Sequence, residues 1–300
     1  MQYKVTPIDW ALLMSLVVVW GSSFAMSKVA LRHISPEWIA ASRLCVGGAI
    51  LSIIAIAQRS KPPATARDIF NYSWLGLIGD AAPFIVITWG MQYISSGVAG
   101  LLMGTIPLIV ILMAHFTLPG EQLTRPRIAG FIVGFIGIVV LMGPENLLNI
   151  KTHGKELLGE MAVLGGCLLY GVNSVSTKRL NMKGTVAVAA CVLMAGAVMA
   201  TFAAWLQSPF DLLQKPASAL WAILGLGLFP TGLATVIWFK AVERTSPTFI
   251  SMSNYLVPVY ALVFGALTLG ETIYLNVVFA LALVLCGILL SRINMEARTT

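Results

Sequence analysis

Long apolar runs separated by short polar breaks organise this chain. Ten of them, near residues 9–31, 36–57, 70–92, 95–118, 126–143, 156–178, 184–207, 218–240, 246–269 and 273–292, fit the roughly 20 helical residues that cross a hydrocarbon core. The pattern predicts ten membrane-spanning α-helices with short loops, numbered 1 to 10 in order, because a helix satisfies its own backbone groups inside lipid.

The order of residues repeats. Trp20-Gly21-Ser22-Ser23-Phe24-Ala25-Met26-Ser27-Lys28 is echoed by Tyr170-Gly171-Val172-Asn173-Ser174-Val175-Ser176-Thr177-Lys178. Ser95-Ser96, Pro107 and Glu121 are echoed by Thr245-Ser246, Pro258 and Glu271. Residues 1–150 and 151–300 therefore read as two five-helix repeats, and five crossings oblige the second to begin on the opposite face. Inverted repeats of this kind belong to alternating-access transporters, whose sites lie between the halves.

Composition agrees with a membrane protein. Hydrophobic residues make up 58% of the chain and charged residues 10%, with mean hydropathy +0.88, against roughly half apolar and a quarter charged in a soluble domain. Of the 19 Lys and Arg, one face of the predicted topology takes Lys4, Arg59, Lys61, Arg67, Arg125, Arg127, Lys178, Arg179, Lys183, Lys240, Arg244, Arg292 and Arg298. The other takes Arg32, Lys151, Lys155 and Lys215, while Lys28 and Arg43 lie within helices. The positive-inside rule then places both termini in the cytoplasm. The net charge of +7 follows from this topology, so the expected partners are membrane lipid and a small solute, not nucleic acid.

Other chemistry is sparse. The first run is longer than a secretory core and has no small-x-small cleavage site before Lys28, so it is expected to stay as a helix. Cys45, Cys167, Cys191 and Cys286 stand singly in apolar runs, and His33, His115 and His153 form no H-E-x-x-H. No metal site is expected. An intramembrane enzyme would need a paired nucleophile and base, which the spacing does not offer.

Polar side chains at mid-depth should face protein or a water-filled cavity, since exposure to lipid is costly. Ser22, Ser23, Asp80, Thr105, Asn173, Ser174, Thr231, Thr235, Ser253 and Asn254 are the candidates, with Trp20, Phe84, Trp89, Tyr170, Trp238 and Tyr255 at similar depth. The substrate-binding set is read as Trp20, Ser23, Asp80, Phe84, Thr105, Tyr170, Asn173, Trp238, Asn254 and Tyr255, in which rings stack against an aromatic solute. The alternative for each ring is a place in the interfacial belt or in helix packing.

Arg43 and Asp80 reach similar depth from opposite faces. They are expected to form a structural ion pair, with substrate binding or proton coupling by Asp80 as the alternative. Pro83, Pro107, Pro230 and Pro258 sit inside apolar runs, where proline loosens a helix. Pro107 and Pro258, at matching repeat positions, are read as hinges, with a static kink as the alternative. Gly130, Gly134 and Gly137 make a small-residue face, and its neighbour, in this chain or in a second copy, is left open.

The paired five-helix halves, the Trp-Gly-Ser-Ser-Phe segment, the run through Pro107 to Gly120-Glu121 and its partner through Pro258 to Gly270-Glu271 resemble the EamA family of the drug/metabolite transporter superfamily. Within it the chain looks most similar to YddG-type bacterial exporters of aromatic amino acids. The resemblance implies export across the inner membrane from a cavity between the halves, without a cofactor; a multidrug exporter is the other substrate reading. Arg43 matches an arginine frequent in that family, whereas the corresponding position in the second half is Leu193. With no P-loop in the chain and an Arg43 partner keeping Asp80 ionised, facilitated export down a gradient is expected over proton antiport.

Overall fold

The computed structural model describes residues 6–118, 123–142, 150–180, 185–207, 209–210, 212–245 and 247–292, and its regular elements are all helical. Eight helices are long and apolar enough to cross a membrane. They are α1 (Pro7–Leu31), α2 (Pro36–Ala57), α3 (Ala66–Gly90), α4 (Ser96–Thr117), α5 (Arg125–Met142), α6 (Ile150–Leu180), α7 (Val186–Gln207) and α8 (Ala217–Arg244). Two further apolar helices follow, α9 (Ser253–Leu269), preceded by the turn Pro247–Ile250, and α10 (Leu275–Arg292). The ninth apolar run falls short of a full span because a break at Ser251–Met252 divides it. Glu121, Ser246, Lys4, Lys183 and Arg298 lie outside the described residues.

Local sequence sets the helix ends. At the start of α3, the Thr65 hydroxyl accepts from Asp68 N–H at 3.2 Å while Asp68 accepts from Thr65 N–H at 3.0 Å, a capping box that satisfies two orphan donors. Pro7 and Pro36 open α1 and α2, where their missing N–H costs nothing. The outward faces are apolar: Ile56, Phe116 and Leu267 are 76%, 75% and 79% exposed, a distribution that suits lipid and not water.

Helix pairing follows a two-fold pattern. Helix α1 packs on α8 and α9, α6 packs on α3 and α4, α2 runs along α7, and α5 runs along α10. Exchanging helices five apart maps this pattern onto itself, as two repeats related by a two-fold axis require. Gly130 of α5 faces Gly287 of α10 backbone to backbone, so the small-residue face is used within one chain.

Three helices depart from regular geometry, all near mid-length. Helix α3 widens to π geometry over Leu77–Ala81 and α8 over Gly227–Leu233. The two π segments begin at corresponding repeat positions, and each accommodates a proline. In α3 the wide turn lets Ala82 N–H reach back to the Leu77 carbonyl just before Pro83. In α8, Pro230 has no N–H for the Leu226 carbonyl, and the Thr231 hydroxyl donates to that oxygen instead, at 2.8 Å. Helix α4 is interrupted at Gly104–Thr105 and restarts at Ile106, with Pro107 in its new first turn. Buried hydroxyls of the same segments stand in at the breaks, Thr105 donating to Leu102 O at 2.7 Å and Ser253 to Ile250 O at 2.8 Å.

Candidate functional site

Helices α1, α2, α3, α4, α6, α8 and α9 surround a cavity of about 560 Å³, within the range of about 300–1,000 Å³ usual for small-molecule sites. It lies between the two halves. Its walls carry Trp20, Phe24, Phe84, Tyr170 and Trp238, together with Met91 and Met103. Ser23, Asn173, Asn254 and Arg43 supply polar groups.

Asn173 and Arg43 are held by the irregularities just described. Asn173 rests on the π segment of α3: a Cβ on Gly79 would lie 2.7 Å from its amide atoms, so only glycine leaves room for it. Arg43 is buried, with its guanidinium carbon 3.9 Å from the centre of the Phe84 ring and its Nε donating to Thr231 Oγ1 at 3.2 Å. Phe84 in turn meets Tyr170 edge to face at 6.3 Å. A line Thr231, Arg43, Phe84, Tyr170 thus crosses from α8 through α2 and α3 to α6. The serine hydroxyls are spent locally, Ser23 on Trp20 O at 2.6 Å and Ser27 on Ser23 O at 2.8 Å.

The cavity has one closed end. Near the end that carries Pro7 and Arg292, α4 diverges from α9, and the lining residues Ser174, Trp238 and Asn254 are exposed. At the far end the first half of α4 packs along α9 through Gly97, Gly100 and Gly104, which meet Leu262, Ala261 and Pro258. There Glu271 accepts from Ser96 N–H at 2.8 Å, Ser96 Oγ at 2.7 Å and Gly97 N–H at 3.2 Å. Its carboxylate thereby satisfies the orphan donors at the start of α4. Lys28 adds a second tie, its Nζ donating to Met91 O at 2.7 Å and Ile94 O at 2.9 Å at the end of α3. The near end is tied differently, by the Asp9–Arg244 ion pair at 3.0 Å between α1 and α8.

The profile of the EamA-like transporter family matches this sequence twice, over residues 9–143 and 157–293. The chain belongs to the EamA-like transporter family. It is 30% identical to the uncharacterized transporter YoaV of Bacillus subtilis, over 95% of this chain and 97% of that one. It is also 30% identical to a probable terminal-alkyne amino-acid exporter of Streptantibioticus cattleyicolor, over 89% and 87% of the two chains. An S-adenosylmethionine/S-adenosylhomocysteine transporter of Chlamydia trachomatis is 24% identical over 90% of this chain and 84% of its own. One solved crystal structure superposes with a TM-score of 0.68 at 20% identity, over 99% of this chain and 100% of that one, a likeness of fold.

Within this EamA fold the structure brings together seven of the ten residues read from the sequence as substrate-binding: Trp20, Ser23, Phe84, Tyr170, Asn173, Trp238 and Asn254. Three fall elsewhere. Thr105 is buried, its hydroxyl committed to the break in α4. Tyr255 packs against the apolar core that contains Leu101 and Ala261. Asp80 sits in the π segment of α3 against Gly196 of α7. The expected Arg43–Asp80 ion pair is not formed: no Asp80 oxygen lies within 4.0 Å of the guanidinium, which turns to Phe84 and Thr231. Pro107 and Pro258 both lie at the joint, Pro258 touching Gly104 one turn before Pro107. The far-end ties of Lys28 and Glu271 were not assigned from sequence; their signal was charge placed at helix ends that the repeat pattern marked.

Proposed function

We propose that this chain exports amino acids, chiefly those with aromatic or other apolar side chains, and related small metabolites across the bacterial inner membrane. In this reading ten helices cross the membrane as inverted repeats, 1–150 and 151–300, with both ends of the chain in the cytoplasm. The cavity between the repeats takes the solute from the cytoplasmic side and releases it on the other by alternating access, the halves of α4 and α9 swinging about Pro107 and Pro258. Trp20, Phe84, Tyr170 and Trp238 hold the solute's apolar part; Ser23, Asn173 and Asn254 meet its polar groups. Transport runs down the solute's own gradient. The aromatic-walled cavity at the junction of the halves carries this reading, and the resemblance to a probable terminal-alkyne amino-acid exporter supports an amino-acid solute.

Efflux of labelled phenylalanine and tryptophan from sealed proteoliposomes tests it. Protein-dependent efflux above that of empty liposomes is the expected result; none for any amino acid would remove the export reading. Cysteine labelling at Arg67 and Lys155 from opposite faces tests the topology, and labelling of both from one face would overturn the inverted repeats.

A further inference from the structure

We propose that Arg43 is the anchor for a carboxylate on the solute, so that the cavity selects monocarboxylates and discriminates against the corresponding amides and amines. This rests on the export reading for the solute's being carried, but the binding step stands by itself.

Arg43 is the one charged residue lining the cavity among the described residues. Its Nε is used by Thr231, and one face of its guanidinium is covered by Phe84. Both terminal nitrogens have no partner in the described chain and are not sealed from the cavity. Guanidinium presents its terminal N–H groups as a planar fork matched to a carboxylate. Thr231 and Phe84 fix the plane of that fork from two sides, so little freedom remains to be lost when the acid arrives.

The rest of the cavity narrows the class. A single positive charge suits a monoanion, whereas a doubly charged phosphate would keep one charge uncompensated in a largely apolar enclosure. Cationic solutes meet repulsion there. The Phe84 ring against Arg43, with Tyr170 edge-on to it, gives the apolar part of the acid a wall adjoining the anchor. A guanidinium held at mid-membrane with no carboxylate bonded to it is costly; a bound solute carboxylate supplies the direct partner that Asp80, more than 4.0 Å away, does not.

The test compares solutes that differ at one group. Quenching of the cavity tryptophans in detergent-purified protein measures binding, and proteoliposome counterflow measures transport, for phenylalanine, 3-phenylpropionate, phenylalaninamide and phenethylamine. Phenylalanine and 3-phenylpropionate are expected to bind at least about tenfold more tightly than the amide and the amine, the range for losing a charged hydrogen bond. R43Q should remove that preference, and R43K should keep part of it. Equal binding of acid and amide to the unaltered protein would overturn the proposal, as would a folded R43Q that still prefers acids. Asp80 turning to occupy the fork would produce the first of these results. Acid-selective binding without flux would leave the anchor intact and count against export alone; if R43Q does not fold, the acid-to-amide ratio of the unaltered protein decides.

Discussion

Glu271, just past the end of α9, takes both the backbone N–H and the hydroxyl of Ser96, at 2.8 and 2.7 Å. One carboxylate therefore caps a helix of the other half and ties the two halves together at the closed end of the cavity. A charged hydrogen bond of this kind contributes about 1.5–3 kcal/mol, enough to move a two-state equilibrium about tenfold or more. E271Q should raise the rate at which an impermeant maleimide, added on the far side, labels a single cysteine at Met103 in an otherwise cysteine-free background. S96A should act in the same direction. An unchanged labelling rate in both would mean that the latch does not control this end.

Close packing at the same end gives a second prediction. A Cβ on Gly100 would lie 2.5 Å from that of Ala261, so G100V wedges α4 from α9. Overpacking of this kind costs about 1–3 kcal/mol, and the melting temperature in detergent should fall. Adding A261G should recover part of the loss. A double variant no better than G100V would place the damage somewhere other than this contact.

Much of the fold was legible because lipid leaves few alternatives. Apolar runs must be helices, and the repeated Trp20 and Tyr170 segments pointed to α1 and α6 as walls of one cavity, which both line. What could not be read was direction around a helix once its geometry changes. Asp80 and Thr105 were assigned to the cavity by depth alone, but a π turn swings Asp80 toward Gly196, and the break in α4 draws the Thr105 hydroxyl onto Leu102 O. The same changes brought Thr231 under Arg43. Depth follows from counting residues; facing depends on the turn, and neither Pro83 nor Pro230 specifies a π turn by itself.

Tyr170 lines the cavity and meets Phe84 edge to face. Y170A should weaken transport of phenylalanine and tryptophan more than that of alanine, by roughly two- to tenfold, the equivalent of about 0.5–1.5 kcal/mol for a lost aromatic contact. The checking measurement is competition among the three amino acids in the same proteoliposomes. Equal loss for all three would assign Tyr170 to packing.

Asp80 bears on energy coupling. A carboxylate that exchanges protons with solute has to share the solute's space, and Asp80 lies against α7 outside the cavity lining. Efflux is therefore expected to follow the amino-acid gradient and to be unaffected by an imposed pH gradient, in the unaltered protein and in D80N alike. Uphill accumulation driven by the pH gradient and lost in a folded D80N would reverse this assignment.

The interruption of α4 at Gly104–Thr105 also has a mechanical meaning. An unbroken helix transmits bending along its whole length, whereas this one is two levers joined at a pin. The first half is clamped to α9, and the second, Ile106–Thr117, lies on α6. Its 12 residues form an arm of roughly 18 Å, so a turn of about 10° at the pin would carry its tip about 3 Å. Displacement is then largest at the open mouth and smallest beside the pin, where Pro258 bears on Gly104. The mouth can narrow while the clamped half keeps its grip, and one end of the passage is free to move without loosening the other.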